Sequence, residues 1–165
     1  MAKIGIADTT FARVDMAKFA IETIKSNSNH EIERYTVPGF KDLPVACKRL
    51  IEEYKCDIVI ALGWAGSAVI DEICAQEASN GLINAQLMTN KHILSVFVYA
   101  REAKTDDELY QIAKDRTIKH TLNAIALLKG KTELTKYAGM GIRQGSVEAG
   151  PIKFNKKDSK YRIKR

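Results

Sequence analysis

The sequence predicts an α/β protein, a three-layer αβα sandwich built on a four-stranded parallel sheet. Short apolar segments alternate along the chain with longer segments that have helical periodicity. The most apolar segment, Asp57–Gly63, is an unbroken run closed by glycine, which is typical of a strand covered on both faces. Because strands and helices alternate, we expect parallel strands joined by right-handed crossovers.

The first part of the chain supplies two strands and two helices. Lys3–Asp8 is the first predicted strand, and Asp15 is predicted to cap the helix that follows it. Ile32–Val37 is the second predicted strand. After it, Asp42 is placed to cap a second helix that has Pro44 in its first turn.

The second part supplies two long helices and the last strand. Val69–Met88 is predicted to be a helix with one face of apolar and small residues, and Glu77 lies on or beside that face. The face is predicted to contain Ile70, Ile73, Cys74, Ala78, Gly81, Ala85 and Met88. Ile93–Tyr99 is the fourth predicted strand. The final helix, Asp106–Leu128, has apolar residues on more than one side, so we expect it to contact its own sheet and a further surface, such as a neighbouring subunit.

Length and composition favour one globular domain over residues 1–151, followed by a basic tail over residues 152–165. The chain has 165 residues, of which 45% are hydrophobic and 28% are charged. No segment approaches the roughly 20 apolar residues of a membrane span. We expect no signal peptide before the first strand, and three cysteines without close spacing do not suggest disulfides, so a cytoplasmic protein is expected. The histidines and cysteines show no metal-ligand spacing.

The net charge of +6 resides in the tail. Residues 153–165 contain seven Lys or Arg against the single acidic residue Asp158, which leaves the rest of the chain neutral. A basic tail can bind a polyanion. A solvated chain end is the simpler interpretation, so nucleic-acid binding is not expected.

Three loops are predicted to meet at the carboxyl edge of the sheet, where open α/β sheets bind ligands. The loops comprise residues 8–13, 38–44 and 63–67. They supply the aromatic rings of Phe11, Phe40 and Trp64, together with backbone amides beside Gly39 and Gly63. Such a pocket favours a flat, polar heterocycle that stacks on the rings.

Each candidate residue has a purely structural alternative. Phe11 can be a hydrophobic plug as readily as a stacking surface, and Asp42 can be a helix cap rather than an acid. Glu77 needs a partner on an apolar helix face, and a ligand or a helix terminus would provide one. His92 stands at a strand entrance and is a candidate general acid/base. His120 is interpreted as a core or interface histidine.

Four ordered blocks of the sequence resemble one known family. The blocks are Asp8–Met16, Thr36–Lys48, Cys74–Leu82 and Gln86–His92. They resemble archaeal riboflavin synthase, a relative of 6,7-dimethyl-8-ribityllumazine synthase, and the resemblance extends to about Pro151. It implies a flavodoxin-like sandwich assembled as a homopentamer, with active sites between adjacent subunits. It also implies a transferase that dismutates two lumazine molecules to riboflavin and a ribitylamino-pyrimidinedione, without an organic cofactor and with any divalent-metal requirement left open.

The resemblance also implies roles for individual residues. Phe11 would stack on a pteridine ring, residues 39–42 would hold polar groups of the ring or ribityl chain, and residues 89–92 would approach from the neighbouring subunit. His92 and Glu77 are the candidate catalytic residues. The predicted substrate-binding residues are Thr10, Phe11, Gly39, Phe40, Lys41, Asp42, Gly63, Trp64, Thr89, Asn90 and Lys91.

The loop after the central strand distinguishes the two related enzymes. Lumazine synthases resemble one another there in a Gly-Ala-Thr turn that binds a phosphate, followed by a catalytic histidine. This chain has Gly66-Ser67-Ala68-Val69 instead, which favours riboflavin synthase. Gln76 departs from the archaeal pattern, in which a histidine often stands. The alternatives that remain are lumazine synthase and a non-catalytic flavin-binding protein.

Overall fold

The computed structural model describes residues 1–153 and contains one four-stranded parallel sheet with the strand order β2-β1-β3-β4. The strands are β1 (Lys3–Thr9), β2 (Glu31–Val37), β3 (Ile58–Ala65) and β4 (Ile93–Tyr99). The helices are α1 (Met16–Asn27), α2 (Leu43–Glu52), α3 (Val69–Thr89) and α4 (Asp106–Lys129). The predicted α/β sandwich is therefore confirmed. Most of the predicted basic tail, from residue 154 on, lies outside the described residues.

The helices cover the two faces of the sheet in pairs. Ile4 and Ile6 of β1 point into a core shared with α1 and α4, whereas Ala7 points into a second core shared with α2 and α3. This alternation follows from the two-residue period of a strand. β3 is buried along its whole length because it lies between β1 and β4 and has helices on both faces.

The helix starts agree with prediction at one position and differ at another. The Asp15 carboxylate accepts a hydrogen bond of 3.2 Å from the Lys18 amide and caps α1 as predicted. Asp42 precedes α2, but its side chain makes no cap hydrogen bond. A 3₁₀ turn, Phe40–Asp42, leads directly into the helix, so Asp42 already has a helical backbone instead of the extended one that a cap needs. The predicted cap is wrong, and this carboxylate is free for another role.

The central strand is longer than predicted. We expected Gly63 and Trp64 in a loop, but β3 continues through Ala65, which pairs with Tyr99 of β4. Trp64 is only 2% exposed and belongs to the core between the sheet, α1 and α4. The loop prediction was wrong because pairing with β4, which continues after the pairing with β1 has ended at Ala61, extends the strand beyond the glycine.

The inner face of α3 also differs from prediction. Its buried residues are Ala75, Ala78, Leu82 and Ala85. Ile70, Ile73 and Met88, which we predicted to lie on that face, are exposed. Small residues face inward because α2 packs closely there: a Cβ on Gly81 would lie 2.6 Å from Pro44 Cγ. The outer face of α3 is consequently apolar. No helix among residues 1–153 is long and apolar enough to cross a membrane.

Candidate active site

Two of the predicted loops are joined at the carboxyl edge of the sheet. The Thr10 amide donates a hydrogen bond of 2.9 Å to the Val37 carbonyl, and the Thr10 hydroxyl donates one of 3.3 Å to the Pro38 carbonyl. The loop after β1 and the loop after β2 therefore form one continuous surface, with Thr10 as the tie between them.

Phe11 lies on this surface and is 53% exposed. A Cβ on Gly66, which follows β3, would lie 3.7 Å from Phe11 Cζ. The ends of β1 and β3 thus bring Phe11 and the third loop together, as the parallel sheet predicts. An aromatic ring with this exposure is available for stacking and is not a core plug in this chain.

Phe40 has a different position from the one expected. It is 6% exposed and packs edge-to-face on Phe97, with ring centroids 4.6 Å apart. Its ring fills the space beside Gly63 on the sheet. The ring therefore anchors the loop after β2 to the core and does not offer a face to a ligand. Lys41 and Asp42 in the same 3₁₀ turn are exposed, and Gly39 is half-buried beside them.

The first turn of α3, which follows the third loop, carries negative charge. The Asp71 carboxylate lies directly against Gly66, and Asp71 and Glu72 both belong to the first turn of α3. Glu72 is paired with Arg101, with Oε1 2.9 Å from Nε, whereas Asp71 is next to the glycine turn. An anionic group placed at this turn would be repelled by the Asp71 carboxylate.

The predicted residues Thr89, Asn90, Lys91 and His92 lie at the opposite edge of the sheet. They link α3 to the start of β4, and the length of a seven-residue strand, about 23 Å, separates them from the Phe11 loop. Lys91 Nζ is fixed at 2.9 Å from Asp57 Oδ1 and 3.0 Å from the Cys56 carbonyl. The amide of Lys3 and the Lys91 ammonium hold the pKa of Asp57 below its ordinary value.

The segment at the amino edge borders a cavity of about 330 Å³. This cavity is lined by Ile83, Gln86, Leu87, Asn90, Lys91 and His92. His92 is exposed. Glu77 is also exposed, in the middle of α3. Within one chain, neither candidate catalytic residue lies beside the Phe11 loop.

A partly buried ionic group behind the Phe11 loop was not predicted. Asp8 is 8% exposed, and its carboxylate accepts hydrogen bonds from Arg34 Nε (3.3 Å), Arg34 Nη2 (2.5 Å) and the Thr36 hydroxyl (2.7 Å). The hydrogen bonds to Asp8 raise the pKa of Arg34. A signal was present in the sequence, because an aspartate closes an apolar strand while an arginine and a threonine alternate on the next one.

A second ionic group links α4 to the segment that follows it, residues 130–153. Arg116 donates to Glu102 Oε1 at 2.6 Å, to the Phe97 carbonyl at 2.6 Å and to the Gln144 carbonyl at 3.3 Å. Burial favours the neutral form of Glu102, but the hydrogen bonds from Arg116 and the Tyr99 amide outweigh it and lower the pKa of Glu102. Because Arg116 contacts both Gln144 and Phe97, the segment after α4 is held near the end of β4.

Comparison with known proteins gives a consistent result. The sequence model of the 6,7-dimethyl-8-ribityllumazine synthase family matches residues 1–131. A riboflavin synthase from Methanothermobacter thermautotrophicus is 52% identical over 153 residues, covering 92% of this chain and 100% of that protein. One from Archaeoglobus fulgidus is 49% identical, covering 91% and 98%. A 6,7-dimethyl-8-ribityllumazine synthase from Methanococcus maripaludis is 31% identical over 88 residues, covering 52% of this chain and 62% of that protein.

Proposed function

The chain belongs to the 6,7-dimethyl-8-ribityllumazine synthase family, and we propose that within this family it is a riboflavin synthase. The reaction is the dismutation of two 6,7-dimethyl-8-ribityllumazine molecules. One molecule gives a four-carbon unit to the other, which yields riboflavin and 5-amino-6-ribitylamino-pyrimidinedione. The observation that carries this proposal is the identity of about half the residues with riboflavin synthases over nearly the whole chain, whereas the lumazine synthase match covers about half of it.

The negative charge of Asp71, next to the third loop, supports the choice between the two related enzymes. The Asp71 carboxylate against Gly66 disfavours a phosphate at this turn. Dimethyl-ribityllumazine has no phosphate, so this feature does not oppose its binding. The substrate of a lumazine synthase, a butanone phosphate, would bring an anion to the same turn.

The proposed chemistry depends mainly on the orientation of two identical rings. The two products together contain all the atoms of two substrate molecules, so the reaction needs no oxidant, reductant or organic cofactor. The methyl group next to the imine carbon is acidic because its carbanion delocalises into the ring. Holding the rings face to face can contribute about 7–11 kcal/mol in favourable systems, and a general acid/base adds roughly 10²–10⁴-fold. Phe11 stacks on one ring in this proposal, while His92 or Glu77 moves protons.

We propose that the site forms between adjacent subunits of a homopentamer. The Phe11 loop and residues 89–92 lie at opposite edges of the sheet in one chain, so both can contact one ligand only across a subunit boundary. The outer face of α3 offers an apolar surface for this contact. Its exposed members are Val69, Ile70, Ile73, Ile83, Leu87 and Met88. We also propose a cytoplasmic location, since all three cysteines are free thiols.

The direct test is incubation of the purified protein with 6,7-dimethyl-8-ribityllumazine alone, without oxygen. Flavin fluorescence should increase, and the pyrimidinedione should form in an amount equal to the riboflavin. If lumazine instead forms from butanone phosphate and the pyrimidinedione, the protein is a lumazine synthase. Binding of riboflavin without turnover would identify a flavin-binding protein.

A further inference from the structure

We propose that Arg34 is a positioning residue that holds both ends of the Phe11 loop, and this inference rests on the proposed function. Asp8 lies just before the loop, and Asp15 ends it as the cap of α1. Arg34 Nη2 is 2.5 Å from Asp8 Oδ2 and 3.7 Å from Asp15 Oδ1. The guanidinium of Arg34, on the neighbouring strand β2, therefore contacts the carboxylates of both Asp8 and Asp15 and bridges them. These two residues flank the loop that carries Phe11.

The contact between Arg34 and Asp8 is built into the sheet, whereas Asp15 adds an exposed ion pair at 3.7 Å. Asp8 pairs in register with Thr36, and Arg34 stands two residues earlier on the same strand and the same face. The Thr36 hydroxyl donates to the Asp8 oxygen that also receives Arg34 Nε. The carboxylate is fixed by three hydrogen bonds, which in turn fixes the orientation of the guanidinium.

Side-chain packing holds the inner side of the loop only in part, through Ala12 and Val14, which are partly buried against the core between the sheet, α1 and α4. This side borders a cavity of about 290 Å³ next to the ionic group. The cavity is lined in part by Thr10, Ala12, Arg13, Val14, Met16 and Leu62. On the outer side, Arg13 forms an ion pair with Asp106, with Nη2 2.6 Å from Oδ2, but both side chains are exposed and such pairs contribute little. Of the two ionic contacts that hold the loop, the one from Arg34 includes the buried carboxylate of Asp8, whereas the Arg34 and Asp15 side chains are themselves 41% and 61% exposed.

Loss of the bridge should act on substrate binding through Phe11. A loop that is free before binding must be ordered when the ring stacks, and this lost entropy weakens the complex. We therefore expect KM to rise roughly tenfold in Arg34→Gln while kcat changes less. Arg34→Lys should recover only part of the loss, because an ammonium cannot form the forked contact with Asp8.

The variants for this test separate positioning from folding. Arg34→Gln leaves the buried Asp8 carboxylate without its cation, so the double variant Asp8→Asn/Arg34→Gln, which removes both charges, is measured beside it. Arg49→Gln is the matched control, since Arg49 also forms an ion pair, with Glu53, and contacts Tyr35 of β2. The control should keep KM within about twofold of the wild-type value.

Hydrogen exchange provides a readout that does not require the reaction. Amides of residues 9–15 should exchange at least about tenfold faster in Arg34→Gln and in the double variant than in the wild type, while those of α4 remain unchanged. Unchanged exchange in this loop, or an unchanged KM in the double variant, would overturn the proposal. If the wild type itself makes no riboflavin, the proposed function fails, whereas the exchange result still decides whether Arg34 orders the loop.

Discussion

The Phe40 ring occupies the space that a side chain on Gly63 would need, and this contact fixes the position of the loop after β2 against the sheet. A Cβ on Gly63 would overlap the Phe40 ring and would lie 2.8 Å from Phe97 Cδ1. We predict that Gly63→Ala lowers the free energy of unfolding by about 1–3 kcal/mol, because the buried rings must move apart. Urea denaturation at a fixed protein concentration measures this change.

Gly39→Ala is the matched control for that substitution. Gly39 has an extended backbone, and a Cβ there meets no atom within 4 Å. The free energy of unfolding of Gly39→Ala should stay within about 0.5 kcal/mol of the wild-type value. An equal loss in both variants would show that the Phe40 contact does not determine the cost.

Phe11→Ala should weaken lumazine binding by about 1–3 kcal/mol, because the exposed ring loses its stacking and burial against the substrate. The effect of this substitution on stability should be small, since Phe11 is more than half exposed. Phe11→Tyr keeps the ring and should retain most of the affinity. Titration of lumazine fluorescence measures the binding, and equal affinities in the wild type and Phe11→Ala would remove Phe11 from the site.

Sites shared between subunits predict complementation between two inactive variants. Phe11→Ala and His92→Ala should each lose activity alone, yet co-refolded mixtures should regain it, because about a quarter of the shared sites then combine two intact halves. A mixture of Phe11→Ala and Asp42→Ala is the control, since both residues belong to the same edge of the sheet. No recovery in the first mixture would show that Phe11 and His92 do not belong to one shared site.

Charge on the outer face of α3 should prevent assembly. Ile83 and Leu87 are exposed one turn apart on this face, so Ile83→Asp/Leu87→Asp would place two carboxylates in the proposed subunit contact. We expect a smaller species in sedimentation and little activity. Val147→Asp introduces one carboxylate at an exposed apolar residue outside the helices and should assemble normally. A double variant that sediments like the wild type would exclude this face from the contact.

Local patterns in the sequence were sufficient for the order of strands and helices but not for their surroundings. The apolar run of β3 and the cap at Asp15 are local signals, and both agree with the structure. The positions of Phe40 and Trp64 were not predictable, because the burial of an aromatic ring depends on which elements pack beside it. The inner face of α3 was predicted incorrectly for a related reason, because its outer face is also apolar. One helix has two apolar sides, and periodicity alone cannot tell which of them meets the sheet.

The candidate site likewise contains residues that local sequence patterns predict and residues that depend on the assembled fold. Phe11 is found by its place after the first strand, whereas the Arg34 bridge requires the register between β1 and β2. The two edges of the sheet are separated by the whole length of the strands. A single sequence therefore suggests which residues belong to the site, but it does not show which chain supplies each of them.

His120 should make the stability of the protein depend on pH below neutrality. Its half-buried imidazole in α4 is destabilised as a cation first by burial and then by the charge of Arg116, so its pKa in the folded protein is lowered from the ordinary value of 6.5. Above about pH 6.5 the ring is neutral in both states, and its contribution to stability is fully present. As the pH falls from 6.5 through the folded-state pKa, the unfolded chain takes up the proton first, so the free energy of unfolding decreases.

His120→Gln should reduce this decrease, because glutamine does not titrate. The measurement is urea unfolding at pH 7.5, 6.5 and 5.5 with constant protein concentration, which matters if subunits dissociate on unfolding. Glu102 and Asp57 have lowered pKa values and act only in more acidic solution, below the ordinary carboxylate range. They therefore do not mask the effect between pH 7.5 and 5.5. An identical loss of stability in the wild type and His120→Gln over this interval would show that His120 is not responsible for it.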